Sequence, residues 1–363
     1  MVSCPDFSSF QAGARRFDRA MQGIPDRVPV CAQMHEFAMQ EIGARPGEFY
    51  RNPEMLVYGT LEIQDKFGID VPVLDYDVYN IEAEAIGQKI VFGEDHMPDV
   101  DRSRPMIRDR NDLKKIRTPD FDTDGRFAHV IEMNRIFRDV IGGRTEATLR
   151  FCAPFSLAAN IRGIEQLLMD MYTDPDFARS LFDRVVEELL APWILRLKKE
   201  FPHATSISGD DATASLPIVN LEILREWIVP YVLRLKEICG PEIYVPNWVG
   251  EHNLKNPEEM LDIKRRVCPG FVEGQDPDVE KLGPELYKCY AQKHDAALIL
   301  GIGAGFLALA SPAEVAQRVK HYVEIGGKGG RLVLYLCNLG ATTPPENVRA
   351  AIEAVHKYGT YSL

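Results

Sequence analysis

The stretch Ala297–Cys337, ALILGIGAGFLALASPAEVAQRVKHYVEIGGKGGRLVLYLC, carries two apolar runs with a helix start between them. Two apolar runs, Ala297–Ile302 and Arg331–Cys337, have the length of strands, and Ser311-Pro-Ala-Glu314 lies between them. That tetrapeptide offers a hydroxyl cap, a proline at the first helical position and an acid that reaches back to the cap, so a helix starts there. Strand, crossover helix and strand form a βαβ unit, and such a unit makes its two strands parallel.

The same rhythm extends toward the N-terminus. Further strand-length runs lie at Val28–Ala32, Ile69–Leu74, Ala147–Cys152, Thr205–Ser208, Glu242–Asn247 and Gly270–Glu273, which makes eight in all. Eight parallel strands close a barrel. Thr173-Asp-Pro-Asp176, Asn256-Pro-Glu-Glu259 and Thr343-Pro-Pro-Glu346 are further helix starts of the same kind. After the first of them, Phe177, Leu181, Val185, Leu189 and Trp193 recur every four residues and predict a buried stripe. The segment from about 85 to 125, with Gly87, Gly93, Asp99, Asp101, Arg102 and Arg104, breaks the rhythm and reads as an insertion after the second strand, a lid or a protein-contact loop. The expected architecture is α/β: a single (β/α)₈ TIM barrel domain over residues 1–363 with an N-terminal helical extension and that insertion.

Composition narrows the partners. The chain is 45% hydrophobic and 26% charged, as ordinary globular proteins are. Its 42 Lys and Arg against 54 Asp and Glu leave a net charge of −12, which disfavours a nucleic acid or an anionic membrane as partner. No window of about 18 apolar residues exists, and Met1-Val-Ser-Cys-Pro-Asp6 has neither the basic nor the apolar region of a leader, so a cytoplasmic location is expected. Seven cysteines at 4, 31, 152, 239, 268, 289 and 337 form no Cys-x-x-Cys pair, and they read as reduced thiols. Any metal site has to be assembled by the fold.

In such a barrel the chemistry sits at the carboxyl ends of the strands. That topology selects His35, Glu36, Asp75, Asp77, Phe151, Phe155, Asp210, Asp211, Asn247, Trp248, Glu273 and Cys337. Asp210 and Asp211 are adjacent carboxylates that can both face the mouth from a turn, where one tunes the other as general acid or base; alternatively one of them caps the next helix. Glu273, Cys337 and the loop residue His252 are oxygen, sulfur and nitrogen donors of the kind zinc accepts, although a buried Cys337 equally suits a packing role. Gly301-Ile-Gly303-Ala-Gly305 follows a strand, but Phe306 stands where a dinucleotide fingerprint needs glycine. No phosphate-binding loop, Gly-x-Ser-x-Gly or His-Glu-x-x-His is present.

Several of these residues fall in a recognisable series. Asp26-Arg-Val-Pro-Val30, Ala153-Pro-Phe-Ser156, Gly209-Asp-Asp211 with Leu216-Pro217 and Pro230-Tyr231, and Cys337-Asn-Leu-Gly340 before Thr343-Pro-Pro-Glu-Asn347 resemble the uroporphyrinogen decarboxylase superfamily over nearly the whole chain. The resemblance implies a (β/α)₈ barrel and two competing chemistries. The decarboxylases hold the substrate's carboxylates with an arginine-rich segment after the first strand, whereas this chain has Cys31-Ala-Gln-Met-His35-Glu-Phe37 there. The methyltransferase branch exchanges methyl groups with cobalamin carried on a separate corrinoid protein. Its thiol-methylating members bind zinc through His-x-Cys-Gly after the fifth strand and a distant cysteine; Cys337 matches the latter, but Asn247-Trp-Val-Gly250 replaces the former.

A third group, the demethylating component of aryl methyl ether O-demethylases, is associated with zinc ligands spaced Glu, fourteen residues, Glu, twenty residues, His. Glu258, Glu273 and His294 reproduce both intervals. The resemblance therefore implies transfer of a methyl group from a small methylated substrate, an aryl methyl ether, to cob(I)alamin on a corrinoid partner protein. The alternatives are a methylcobalamin:thiol methyltransferase and, behind it, a decarboxylase. The site expected on that reading has Asp210, Asp211 or His35 as acid, Tyr76, Phe151, Phe155, Asn247 and Trp248 around the substrate, and Zn²⁺ held among Glu273, Cys337, His252, Glu258 and His294. A homodimer is left open.

Overall fold

The computed structural model describes residues 7–141 and 148–361, so Cys4 and the first residue of the expected third strand, Ala147, lie outside the described residues. The strands run in chain order as β1 (Val30–Ala32), β2 (Ile90–Val91), β3 (Asp99–Val100), β4 (Leu149–Cys152), β5 (Ile207–Asp210), β6 (Ile243–Tyr244), β7 (Phe271–Gln275), β8 (Ala297–Ile302) and β9 (Leu332–Leu336). Seven of the eight expected strands are present. They form two parallel arcs, β1-β9-β8-β7 and β4-β5-β6. The apolar runs Ala297–Ile302 and Arg331–Cys337 pair in register, Leu298 against Leu332 through Ile302 against Leu336.

The exception is Ile69–Leu74, which lies beside β1 without forming a ladder. Val30 O accepts from Asp70 N at 3.0 Å and Val71 N at 3.2 Å, and the chain then turns away. On its other side, two side chains take the place of strand bonds to β4: Tyr76 Oη donates to Arg150 O at 3.3 Å, and Glu82 Oε1 accepts from Cys152 N at 3.1 Å. β6 and β7 share no ladder either, and a buried cluster spans that seam. Asp278 accepts from Gly250 N at 2.6 Å and His252 N at 3.0 Å, while Lys264 Nζ donates to Glu251 at 2.9 Å and to Glu273 O at 2.7 Å. Buried backbone donors and acceptors must be paired somewhere, and at both seams side chains do it.

Helix signals are realised unevenly. Ser311 and Glu314 form the full capping box on the helix Pro312–Gly326, and Asp174 caps Pro175–Arg184 through Phe177 N. Asn256 and Thr343 precede their helices without a side-chain cap. The stripe Phe177, Leu181, Val185, Leu189 and Trp193 is buried throughout, and the helix widens to π geometry over Val185–Leu190. The wider turn keeps residues four apart on one face. A six-residue helix, Ala304–Leu309, starts directly after Gly303; it is short, and Phe306 occupies the position where a nucleotide cradle needs glycine.

The insertion carries the antiparallel pair β2-β3 and the 3₁₀ helix Arg110–Lys115. Its Phe92 ring lies under the Arg51 guanidinium, 3.6 Å from centroid, and Met97 N donates to Glu36 at 3.0 Å, so the insertion walls one side of the mouth. At the opposite end the helix Ser9–Gln22 closes the barrel floor with Phe17, Ala20 and Met21 against Ile299 and Val333. No helix among the described residues is long and apolar enough to cross a membrane.

The floor helix approaches the barrel so closely that a Cβ on Gly13 would lie 1.7 Å from Asp70 O. Asp70 cannot yield, because its carboxylate holds Arg16 at 2.6 Å, Arg27 at 2.6 and 2.7 Å and Val30 N at 3.0 Å. Gly13→Ala is expected to lower stability by ~1–3 kcal/mol through overpacking. Urea denaturation measures this, and an unchanged midpoint would show that the helix does not dock there.

Candidate active site

Strand alternation decides what faces the lumen. A Cβ on Gly209 would meet Phe151 at 2.7 Å and Val245 at 2.9 Å, so these three face the outer helices and Arg150, Ser208, Asp210 and Tyr244 face inward. On the other arc, Gly326 in the outer layer lies against Leu300 and Leu332, and Gly274 against Tyr287 and Val279. That leaves Phe271, Glu273, Gln275, Ile299, Gly301, Val333, Tyr335 and Cys337 facing inward, with Cys31 level with Tyr335 and Ile299 and Val333 in the lowest layer on the floor helix. Barrel lumens are usually filled by branched apolar side chains. Above the layer of Ile299 and Val333, this one is largely polar.

Its centre is an ion pair. Arg150 Nη1 donates to both oxygens of Asp210, at 3.1 and 3.2 Å, with both side chains nearly buried. Burial works against the charge of Arg150, but the carboxylates of Asp210 and Asp75 keep the guanidinium protonated. Burial likewise raises the Asp210 pKa from its ordinary value, Arg150 opposes the rise, and Asp75 adds to it.

Beside the pair lies a chain of polar contacts. Tyr50 Oη is 2.6 Å from His35 Nδ1, and His35 Nε2 is 3.6 Å from Asp75 Oδ2. Burial pushes the Tyr50 hydroxyl up, so it keeps its proton, and its contact with Nδ1 orients the ring so that Nε2 faces Asp75. Gln33 Nε2 donates to Asp75 Oδ1 at 3.2 Å, and the Tyr335 hydroxyl donates to Gln33 Oε1. Across the lumen, Gln275 donates to Glu273, whose pKa burial also raises.

Several expected site residues take other roles. Asp211 is fully buried and accepts from Ser156 N at 2.9 Å and Trp248 Nε1 at 3.1 Å, while its own N–H donates to Asn247 Oδ1 at 3.0 Å. Burial raises it to about 6, but with both oxygens engaged it ties three loops together. Trp248 is therefore part of that tie, and Asn247 alone of the pair is partly open. Phe151 and Phe155 are fully buried, Phe151 facing outward beneath Gly209 and Phe155 stacked at 6.2 Å on Phe182, so neither lines the lumen. Tyr76 serves the seam. Asp77 is bound by Arg126 at 2.7 and 2.9 Å.

The five expected metal ligands are not brought together. His252 is held by Asp278; Glu258 pairs on the surface with Lys293 at 2.9 Å; His294 follows the helix Pro284–Lys293 near the start of β8 and rests 4.5 Å from the Tyr290 ring. Cys337 is buried, its thiol pushed well up by burial, with its sulfur 2.5 Å from where a Cβ on Gly301 would lie. Among the described residues, no group of three or more His, Cys, Asp or Glu is arranged to hold a metal ion. The residues present do not fit zinc.

Arg150 and Glu82 are the residues that strand-end reasoning missed. A charge inside the strand Leu149-Arg-Phe-Cys152 was the signal for the first. For the second it was the helical face Val78, Ile81, Glu82, Ala85, apolar except for one acid. Glu82 is fully buried, its Oε2 has no hydrogen-bond partner, and burial raises its pKa to about 8.

Residues 13–358 match the family model of uroporphyrinogen decarboxylase (URO-D). The chain is 23% identical over 331 residues to the uroporphyrinogen decarboxylase of Anaeromyxobacter dehalogenans, covering 86% of this chain and 87% of that one. It is 27% identical over 290 residues to the methylated-thiol–coenzyme M methyltransferase of Methanosarcina mazei, covering 79% and 72%. A solved structure of a methyltransferase from Methanosarcina mazei shares the fold with a TM-score of 0.75 at 21% identity, over 94% of this chain and 98% of that one.

Glu82 makes stability pH-dependent. Its pKa is about 8 when folded against an ordinary 4.5, so the stabilisation it brings is full below about 4.5 and is lost as pH rises toward about 8. Glu82→Gln stays neutral throughout. Thermal melts from about pH 5 to about pH 8 should show the wild type losing stability relative to the variant. Parallel curves would mean that Glu82 is already ionised in the folded chain.

Proposed function

The chain belongs to the uroporphyrinogen decarboxylase family, and on that premise we propose that it transfers a methyl group from an aryl methyl ether to the corrinoid of a partner protein. The observation that carries this reading is Asp210, a buried carboxyl facing the lumen from a strand's carboxyl end, with its pKa raised and Arg150 against it. The reduced corrinoid supplies the nucleophile that takes the methyl group. The chain's own task is at the other end of the bond, where the oxygen departs with the bonding electron pair and is a poor leaving group unless protonated. Asp210 gives that oxygen its proton, and Arg150 then faces the carboxylate that Asp210 becomes. His35, oriented by Tyr50, is a second donor at the same mouth.

Binding of a polycarboxylate finds less support. After β1 the chain presents Gln33, His35 and Glu36, and these are engaged with Asp75, Tyr50 and the insertion. An arginine clamp is what planar, bidentate carboxylate recognition requires.

The protein should leave a methoxylated aromatic untouched on its own. Mixed with a reduced corrinoid protein and guaiacol or veratrole, it is expected to replace the reduced corrinoid spectrum with that of the methylated form and to release the phenol. Asp210→Asn should slow that turnover by about 100-fold or more, the usual worth of a general acid. Methylated corrinoid consumed by a thiol, with no methylation from any ether, would instead assign the chain to thiol methylation.

A further inference from the structure

Tyr79 brings to the mouth a phenol hydroxyl that the chemistry above does not use. Its backbone lies at the start of the helix Val78–Ala85 and is firmly held: Tyr79 O accepts from Asn160 Nδ2 at 2.9 Å, and Asp77, just before the helix, is bound by Arg126 and Asn80. From there the side chain spans to two other loops. Tyr79 Oη accepts from Ala212 N at 3.1 Å, after β5, and from Asn247 Nδ2 at 3.4 Å, after β6. Both contacts use the lone pairs of the oxygen, and neither uses its proton. Burial pushes the hydroxyl pKa well up, so that proton stays on at neutral pH. An O–H whose oxygen accepts two N–H bonds is polarised into a stronger donor than a solitary one. Ala212 follows Asp210 by two residues, so this donor stands beside the end of β5, on a residue that is only half-buried. His35 follows β1 on the other arc, and its Nε2 faces Asp75.

An ether oxygen can accept two hydrogen bonds, and the proton of Asp210 takes one of them. We propose that Tyr79 gives the other, as a fixed donor to the oxygen that loses the methyl group. This rests on the methyl ether reading above. As the methyl group passes to the corrinoid, the carbon–oxygen bond breaks and its electron pair stays on oxygen. The proton of Asp210 ends on that oxygen, and Tyr79 keeps its own. Negative charge gathers there only while the bond is breaking, so a donor held in advance acts on the rate and little on binding.

Tyr79→Phe keeps the ring, and the Ala212 N–H that it releases is exposed to water, so the fold should survive. The test compares the whole wild-type and variant chains with a reduced corrinoid protein and two ethers, 2-methoxyphenol and 3-hydroxy-4-methoxybenzonitrile. The cyano group para to the methoxy group makes the second the better leaving oxygen. The variant is expected to lower kcat for 2-methoxyphenol by about 100-fold with KM changed by less than about threefold, and the loss should be about tenfold smaller for the nitrile. Asn247→Ala removes one donor from Tyr79 Oη and leaves the phenol in place. It should lose about tenfold in kcat with the same dependence on the leaving group, and it carries the test if the first variant does not fold. An unchanged kcat, a loss equal for the two ethers, or a rise in KM alone overturns the role of Tyr79 and leaves the methyl ether reading in place. Wild-type protein that methylates the corrinoid from neither ether overturns the methyl ether reading, and this inference falls with it.

Discussion

Glu82 takes the Cys152 N–H that a neighbouring strand would otherwise bind, and Tyr76 takes the Arg150 carbonyl next to it. On the far side of the barrel, Asp278, Glu251 and Lys264 do the same work between β6 and β7. The wall is thus two hydrogen-bonded arcs joined along two seams by buried side chains. Satisfying backbone groups at those seams is the constraint from which the rest follows. It explains why ionisable residues are buried away from any surface role, and it places Asp210 and Arg150 on one arc and Gln33, Glu273 and Tyr335 on the other.

Charge inside the lumen is arranged around a single cation. A buried ion pair gives little net stability, because desolvation consumes most of the Coulombic gain. Its value here is chemical: Arg150 restrains the rise in the Asp210 pKa that burial causes, and so keeps an acid that can both hold and release a proton. Asp211, one residue on, shows the contrast. The peptide geometry at the end of β5 sends it away from the lumen into contacts with Ser156 and Trp248, so adjacent carboxyls become an acid and a structural tie.

Relatives with decarboxylase and methyltransferase names match this chain at similar identity, so family membership itself does not choose between chemistries. The choice lies in the groups that line the mouth. The expected zinc set shows how spacing in sequence misleads on this point. Glu258, Glu273 and His294 have the right intervals, yet one is on the outer surface, one in the lumen and one near the barrel floor. Intervals along a chain constrain distance only within one helix or strand, and these three residues lie on three elements.

Local order was legible in the sequence. The Ser311–Glu314 capping box, the buried stripe from Phe177 to Trp193 and seven of the eight barrel strands come from short-range rules of capping and periodicity, and the barrel topology then points to strand ends such as Asp210 and Glu273. Other features depend on pairing. Which face Phe151 or Arg150 presents is set by register with β5, since in a four-residue strand a one-residue slip reverses every side chain. The Asp75–Gln33–Tyr335 chain joins residues 42 and 302 positions apart, and Glu82 meets Cys152 across 70. No local signal encodes such contacts. They arise when the barrel closes and its unpaired edges capture whatever donor or acceptor the packed helices bring within reach.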